Sequence, residues 1–236
     1  MLRITPAVKN LIIINVIIYF AIQYMFPNWW TYFAAYYPAS KMFHPYQLVT
    51  HMFMHANMLH LFSNMFMLYM FGTTMEYVWG SRYFLFVYFA SGFGAIALHF
   101  LIKYIMLQYY GSLVDPGVIN DIINHGIEIG YNGSILNSAY NSGIEKDINM
   151  IINIPAMGAS GAVFGIFAAF GTQFPRRMLM LIFPPVALEA RYLIPAMVVV
   201  EIFLGITGND GIAHFAHVGG AITGFLLTKY RYKFNI

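Results

Sequence analysis

No cysteine occurs in the 236 residues. Disulfide staples, thiol nucleophiles and cysteine metal sites are thereby excluded, and no marker of redox compartment is left. Charge is nearly as scarce: Lys, Arg, Asp and Glu make up 9% of the chain, where a soluble domain carries roughly 25%. Hydrophobic residues make up 60%, and the mean hydropathy is +0.65. Such a chain is an integral membrane protein, long enough for one compact bundle and too short for a second large domain. The formal charge of +3 does not point to nucleic acid. The basic residues flank apolar segments, where they set topology.

Six apolar stretches have the length of membrane helices: about 10–27, 58–77, 83–106, 158–174, 192–208 and 213–230. The expected fold is therefore an all-α membrane bundle of six transmembrane helices in a single domain over 1–236. Met1-Leu2-Arg3 before an apolar run resembles a secretory signal, but Phe26-Pro27-Asn28-Trp29-Trp30 follows instead of a small-residue cleavage pattern. An uncleaved first span is expected. Arg3, Lys9, Arg82, Arg176, Arg177, Arg191, Lys229, Arg231 and Lys233 fall on one side, and only Lys41, Lys103 and Lys146 on the other. The positive-inside rule then places both termini in the cytoplasm of a multi-pass protein of the cell membrane. Residues 28–56, rich in Trp, Tyr and Phe, read as an interfacial loop 1. Residues 107–156, rich in Asn and Gly, read as an outer loop insertion accessory to the chemistry.

With the N-terminus inside, the second, fourth and sixth helices all run inward from the outer face. His60 and Asn64 lie near the start of the second, Ser160 of the fourth, and His217 of the sixth. At 1.5 Å per residue all four sit at one level, about 5–10 Å below the outer surface. Ionisable groups within hydrocarbon are functional hypotheses by default. A serine needs a base to become a nucleophile, and histidine is the usual one. Ser160 and His217 are the plausible pair. Small residues also let membrane helices approach closely, and Gly161 and Gly165 in the fourth helix, with Gly220 and Gly224 in the sixth, suit that reading. The two are compatible, since close approach is what would bring Ser160 to His217. His60 and Asn64, four apart, share a helical face. Both donate hydrogen bonds, which suits an oxyanion hole with the Ser160 N–H or an interhelical hydrogen bond.

Other chemistries lack their residues. His51-Met52-Phe53-Met54-His55 has no glutamate of the HExxH kind, and no pair of aspartates is embedded in an apolar span. No metal and no cofactor is expected. Glu76 and Glu201 read as structural, Glu76 anchoring a turn with Arg82 and Glu201 protonated or hydrogen-bonded inside the bundle.

Gly158-Ala159-Ser160-Gly161 resembles the GxSG nucleophile motif of the rhomboid family of intramembrane serine proteases. Ala216-His217-Val218-Gly219-Gly220 with Gly224 resembles its AHxxGxxxG motif, and Pro45 to Thr50 followed by His51, His55, His60 and Asn64 resembles its loop 1 and second helix. The resemblance implies a rhomboid-like bundle with a Ser160–His217 dyad and no acid as third member. It selects His217 over His214, gives His60 and Asn64 to the oxyanion hole, sets Phe164 beside the base and makes His55 a support of loop 1. Its substrates would be transmembrane proteins in the lipid bilayer, without nucleic acid. The expected gate is the fifth helix with Gly208-Asn209-Asp210-Gly211. Two rivals stand: a non-catalytic rhomboid-like binder of membrane helices, and a histidine-lined membrane transporter using His51, His55 and His214 together.

Overall fold

The computed structural model describes residues 3–127, 137–140, 142–180, 185–207 and 212–231. It is mostly helical. Helix α1, Pro6–Phe20, continues as a wider π turn through Ala21–Met25; α2, Trp30–Phe33, and α3, Gln47–Thr50, are short turns in loop 1. Helix α4, Met58–Met67, joins α5, Thr73–Trp79, through a π turn at Leu68–Gly72. Then come α6, Ser81–Gly111, α7, Pro116–His125, α8, Gly143–Asn153, and α9, Ser160–Gln173. A hairpin of β1, Met178–Met180, and β2, Ala187–Glu189, leads into α10, Ala190–Thr207, and α11, Ile212–Lys229.

Pro6–Met25, Ser81–Gly111 and Ala190–Thr207 are long and apolar enough to cross a membrane. Many of their large apolar side chains face outward, among them Ile17, Leu101, Phe203 and Ile206. Helix α6, with 31 residues, is about 46 Å long and overshoots a hydrocarbon layer of about 30 Å. Residues 107–111, expected in a loop, are its last turn. Helix α9, with 14 residues, is only about 21 Å long.

The centre is α6, α9 and α11, with α11 lying along both others. Their contact depends on glycine. A Cβ placed on Gly220 would lie 1.9 Å from the Gly161 carbonyl oxygen, and one on Gly224 would lie 2.0 Å from the Gly165 oxygen. These backbones touch, as small residues permit in membranes. Around them Leu68, Met75, Phe84, Tyr88, Ile166 and Ala169 form the buried core.

Polar groups fasten the periphery. The Glu76 carboxylate accepts the Ala7 and Val8 N–H groups, each at 2.9 Å, and the Ser81 hydroxyl at 2.6 Å. It satisfies free donors at the start of α1. Its anchoring partners are thus a helix end and Ser81, where the sequence suggested Arg82. In loop 1 the buried Gln47 amide donates to the Tyr32 and Met42 carbonyls and accepts from the Tyr36 and His44 N–H groups.

The described residues of the 107–156 insertion are folded. Ile122, Tyr140, Ile148 and Ile152 form a small core of their own, against Leu107 and Tyr110 of α6. An apolar face on each of α7 and α8 explains why these stretches are ordered into helices. Ser40 donates to Asn153 at 2.7 Å, and Ala35 and Ala156 exchange two backbone hydrogen bonds at 2.8 Å. Loop 1 and the insertion therefore meet just before Ser160.

Candidate active site

Ser160 is the first residue of α9, preceded by a tight approach to the helix. Gly158 has φ +123°, a region that favours glycine. Its N–H donates to the His51 carbonyl at 2.8 Å. A Cβ there would also lie 2.8 Å from His60 Cε1 and 3.5 Å from Ser160 Oγ. The glycine thus answers two demands, a left-handed turn and a close approach of hydroxyl and imidazole. The Ser160 N–H belongs to the first turn of α9, where donors lack intrahelical partners and the helix end is partly positive.

A cavity of about 410 Å³ opens at this point, lined by Ser160, His60, His51, Lys103, His214 and His217, with Gly92 and Ala95 of α6 and the stretch Ile154–Gly158 as walls. Expected residues from three separate helices thus converge. His217 is held on two sides. The Phe164 ring stacks flat on it, centroids 4.3 Å apart and planes 2° from parallel. Phe164 follows Ser160 by four residues and so shares its face of α9, which turns the Ser160 face toward His217. At the ring edge His217 Nδ1 donates to Glu201 Oε2 at 2.8 Å. A neutral imidazole that donates through Nδ1 has its free lone pair on Nε2, the atom left for a serine proton.

Glu201 is the group that sequence reasoning set aside. Its carboxylate, with side-chain exposure of 15%, also accepts from His214 Nδ1 at 2.7 Å. The resemblance implied no acid beside the base; here one is present, in α10. A signal existed: Glu201 is the one acidic residue in the middle of an apolar span, and such residues call for a partner. In sequence Lys103 likewise marks only topology. It is buried on the cavity wall, with Nζ donating to the Ile154 carbonyl at 2.6 Å.

The remaining expected residues separate. His60 lies on the cavity, its own N–H capped by Asn57 at 2.8 Å. Asn64 is buried on the same helix but off the cavity lining, and its Nδ2 donates to the His60 carbonyl at 2.8 Å. That bond uses one of the two amide donors. His55 is buried, its ring edge-on to His60 at 5.2 Å. Burial, and then the neighbouring His60, pushes its pKa down to about 4. It lines a different cavity with Tyr19 and Trp30, so His51, His55 and His214 do not meet at one site. Gly161, Gly220 and Gly224 are at the α9–α11 contact described above. Gly208 to Gly211, expected at a gate, lie outside the described residues.

The rhomboid domain model matches residues 43–112 and 123–234. The presenilin-associated rhomboid-like protein, mitochondrial, of Homo sapiens is 25% identical over 198 residues, covering 83% of this chain and 40% of that protein. The Rattus norvegicus protein of that name is 26% identical over the same length and shares. The chain thus spans about two-fifths of the length of these curated relatives. The match runs from loop 1 through both glycine-lined helices and includes every residue placed on the cavity above; the chain belongs to the rhomboid family.

Proposed function

We propose that this chain is an intramembrane serine protease of six spans, cleaving peptide bonds in or near transmembrane segments of membrane proteins. One observation carries the reading: His217, with Phe164 stacked on its face and Glu201 bonded at its Nδ1 edge, borders the cavity that Ser160 also lines. Three spans are the long apolar helices. The other three are Met58–Trp79 with its π turn, the short α9, and α11. The basic flanks orient both termini to the cytoplasmic side of a cell membrane, with the cavity open outward. The relatives named above are mitochondrial by name, and that property stays with them. Residues 1–236 act as one domain.

Ser160 Oγ attacks the scissile carbonyl carbon while its proton passes to His217 Nε2. Glu201, accepting from Nδ1, fixes the imidazole tautomer and balances the imidazolium that forms. The oxyanion meets the Ser160 N–H, His60 and Asn64. Collapse breaks the C–N bond, with the proton returned to the leaving amine. Water then attacks the acyl-enzyme, again giving its proton to His217. A fluorophosphonate probe should label Ser160 in the intact protein, and labelling that persists in Ser160→Ala would defeat the assignment. A helix-binding relative without catalysis would bind substrate and take no label.

Glu201→Gln should lower kcat on the order of 10²–10⁴, because a carboxamide can present N–H to Nδ1 and reverse the tautomer. KM should move little, and Glu201→Asp should recover part of the loss. An unchanged kcat in Glu201→Gln would reduce the glutamate to packing. His60→Ala should lower kcat by about 10²–10³, the loss known for one oxyanion donor. Asn64→Ala should cost less, since Asn64 is off the cavity lining and spends one donor within its own helix. Steady-state kinetics on a transmembrane substrate check both, and a pure KM effect for His60→Ala would assign it to binding instead.

A further inference from the structure

His214 has no part in the chemistry above, yet the carboxylate that holds His217 holds it too. Its Nδ1 and that of His217 converge on one carboxylate oxygen, at 2.7 and 2.8 Å. The His214 and His217 rings stand perpendicular, 6.2 Å apart, so the two nitrogens approach Glu201 from different directions. The three potential ligand atoms all lie within 4.8 Å of one another, the one such group of three among the described residues. The histidine side chains are each 22% exposed and the glutamate 15%, and both rings border the cavity, which supplies an entry path.

We propose that His214, His217 and Glu201 form a Zn²⁺ site whose occupation switches the base off. Two imidazole nitrogens and one carboxylate oxygen are a three-ligand zinc set that leaves a fourth position for water. Metal–ligand bonds of 2.0–2.2 Å in a tetrahedron separate the ligands by about 3.3 Å. Each Nδ1–Oε2 separation, now 2.7 or 2.8 Å, need lengthen by only about half an ångström to match. Borderline nitrogen ligands favour Zn²⁺ over Mg²⁺ or Ca²⁺, which prefer oxygen.

The consequence follows from the tautomer. Without metal, Glu201 takes the Nδ1–H and Nε2 carries the lone pair. Zn²⁺ takes the Nδ1 lone pairs instead, so the proton of each neutral ring shifts to Nε2 with none released. His217 Nε2–H then cannot accept the Ser160 proton. Cleavage stops while Ser160 and the oxyanion donors stay in place. Occupation would require no change of fold, only rotation of side chains already gathered there.

The switching effect rests on the protease reading, but the binding does not, so the test has two arms. The first uses the full chain in detergent micelles with Ser160→Ala, which needs no activity. Co²⁺ titration should give the visible absorption of a four-coordinate ion at one equivalent, displaced by Zn²⁺. Adding His214→Ala should weaken binding at least tenfold, with His214→Asn as a second variant should the first misfold. The second arm measures substrate cleavage by the protein without these changes. Micromolar Zn²⁺ should inhibit, EDTA should restore, and His214→Ala should keep most of the activity while losing the inhibition. No stoichiometric Co²⁺ band overturns the site. So does Zn²⁺ inhibition that is unchanged in a folded His214 variant. A stoichiometric band in a protein that never cleaves would support the site and defeat the protease reading instead.

Discussion

Ser160→Ala and His217→Ala should each abolish cleavage of a transmembrane substrate while the protein still inserts and unfolds as before. In a serine protease of unrelated fold, removing nucleophile or base costs about 2 × 10⁶ in kcat, and removing both costs little more. The same non-additivity is expected here, because the two side chains act on one proton. Neither change strikes the packing. Ser160 borders a cavity, and alanine leaves the α9 backbone with the glycine contacts intact. His217→Ala uncovers one face of Phe164 and removes one of two hydrogen bonds to Glu201, whose other partner His214 remains. Cleavage by either variant within tenfold of the unmodified protein would sink the pairing. His214→Ala provides the contrast in the same assay, since it removes the neighbouring imidazole and spares the base.

Gly220→Ala and Gly224→Ala should produce the largest structural effects. The added methyl would lie 1.9 or 2.0 Å from a backbone oxygen of α9, well inside van der Waals contact. A backbone atom cannot rotate away as a side-chain tip can, so α9 and α11 must part. Overpacking of this kind costs about 1–3 kcal/mol and sometimes more. No hydrophobic gain between membrane helices offsets it, since lipid is as apolar as the partner helix. Thermal unfolding in micelles should show the loss at each site, with the double variant failing to accumulate. Activity should fall further than stability does. A separation of about 1 Å between the helices that hold Ser160 and His217, the proposed nucleophile and base, costs on the order of 10² in rate even in the folded fraction. Gly111→Ala is the control, where the added atom meets only the end of the Ile119 side chain at 3.0 Å. Equal stability of Gly220→Ala and Gly111→Ala would refute the backbone contact.

The helices were legible because their cause is local. Runs of apolar residues, the fourth bounded by Pro155 and by Pro175-Arg176-Arg177, announce each segment from sequence alone. Two extents were not. Helix α6 runs five residues past its expected end because Leu107 and Tyr110 are held by the insertion's own core. The Met178–Met180 and Ala187–Glu189 strands form because they pair with each other, and three residues are too few for an alternating pattern to register. The insertion reads as a loop in sequence, yet its described residues are largely helical. Its apolar positions fall on faces of two short helices, and its residues Met150 and Ile154 reach the cavity.

Sequence alone determined that this chain belongs in a membrane, where its helices run, and that Ser160 and His217 are the residues to compare. Each follows from composition, periodicity or a motif contained in a few consecutive positions. Only the tertiary structure decided what surrounds His217. Glu201 and His217 are 16 residues apart and on different helices, so no spacing rule connects a carboxylate in α10 to an imidazole in α11. Their meeting depends on how those helices cross, and that is set by the glycine contacts of α11 with α9 and by packing spread over the bundle. The separation of His60 from Asn64 has the same origin. Both share one helical face by spacing, but only His60 lies on the cavity lining, its ring close against Gly158.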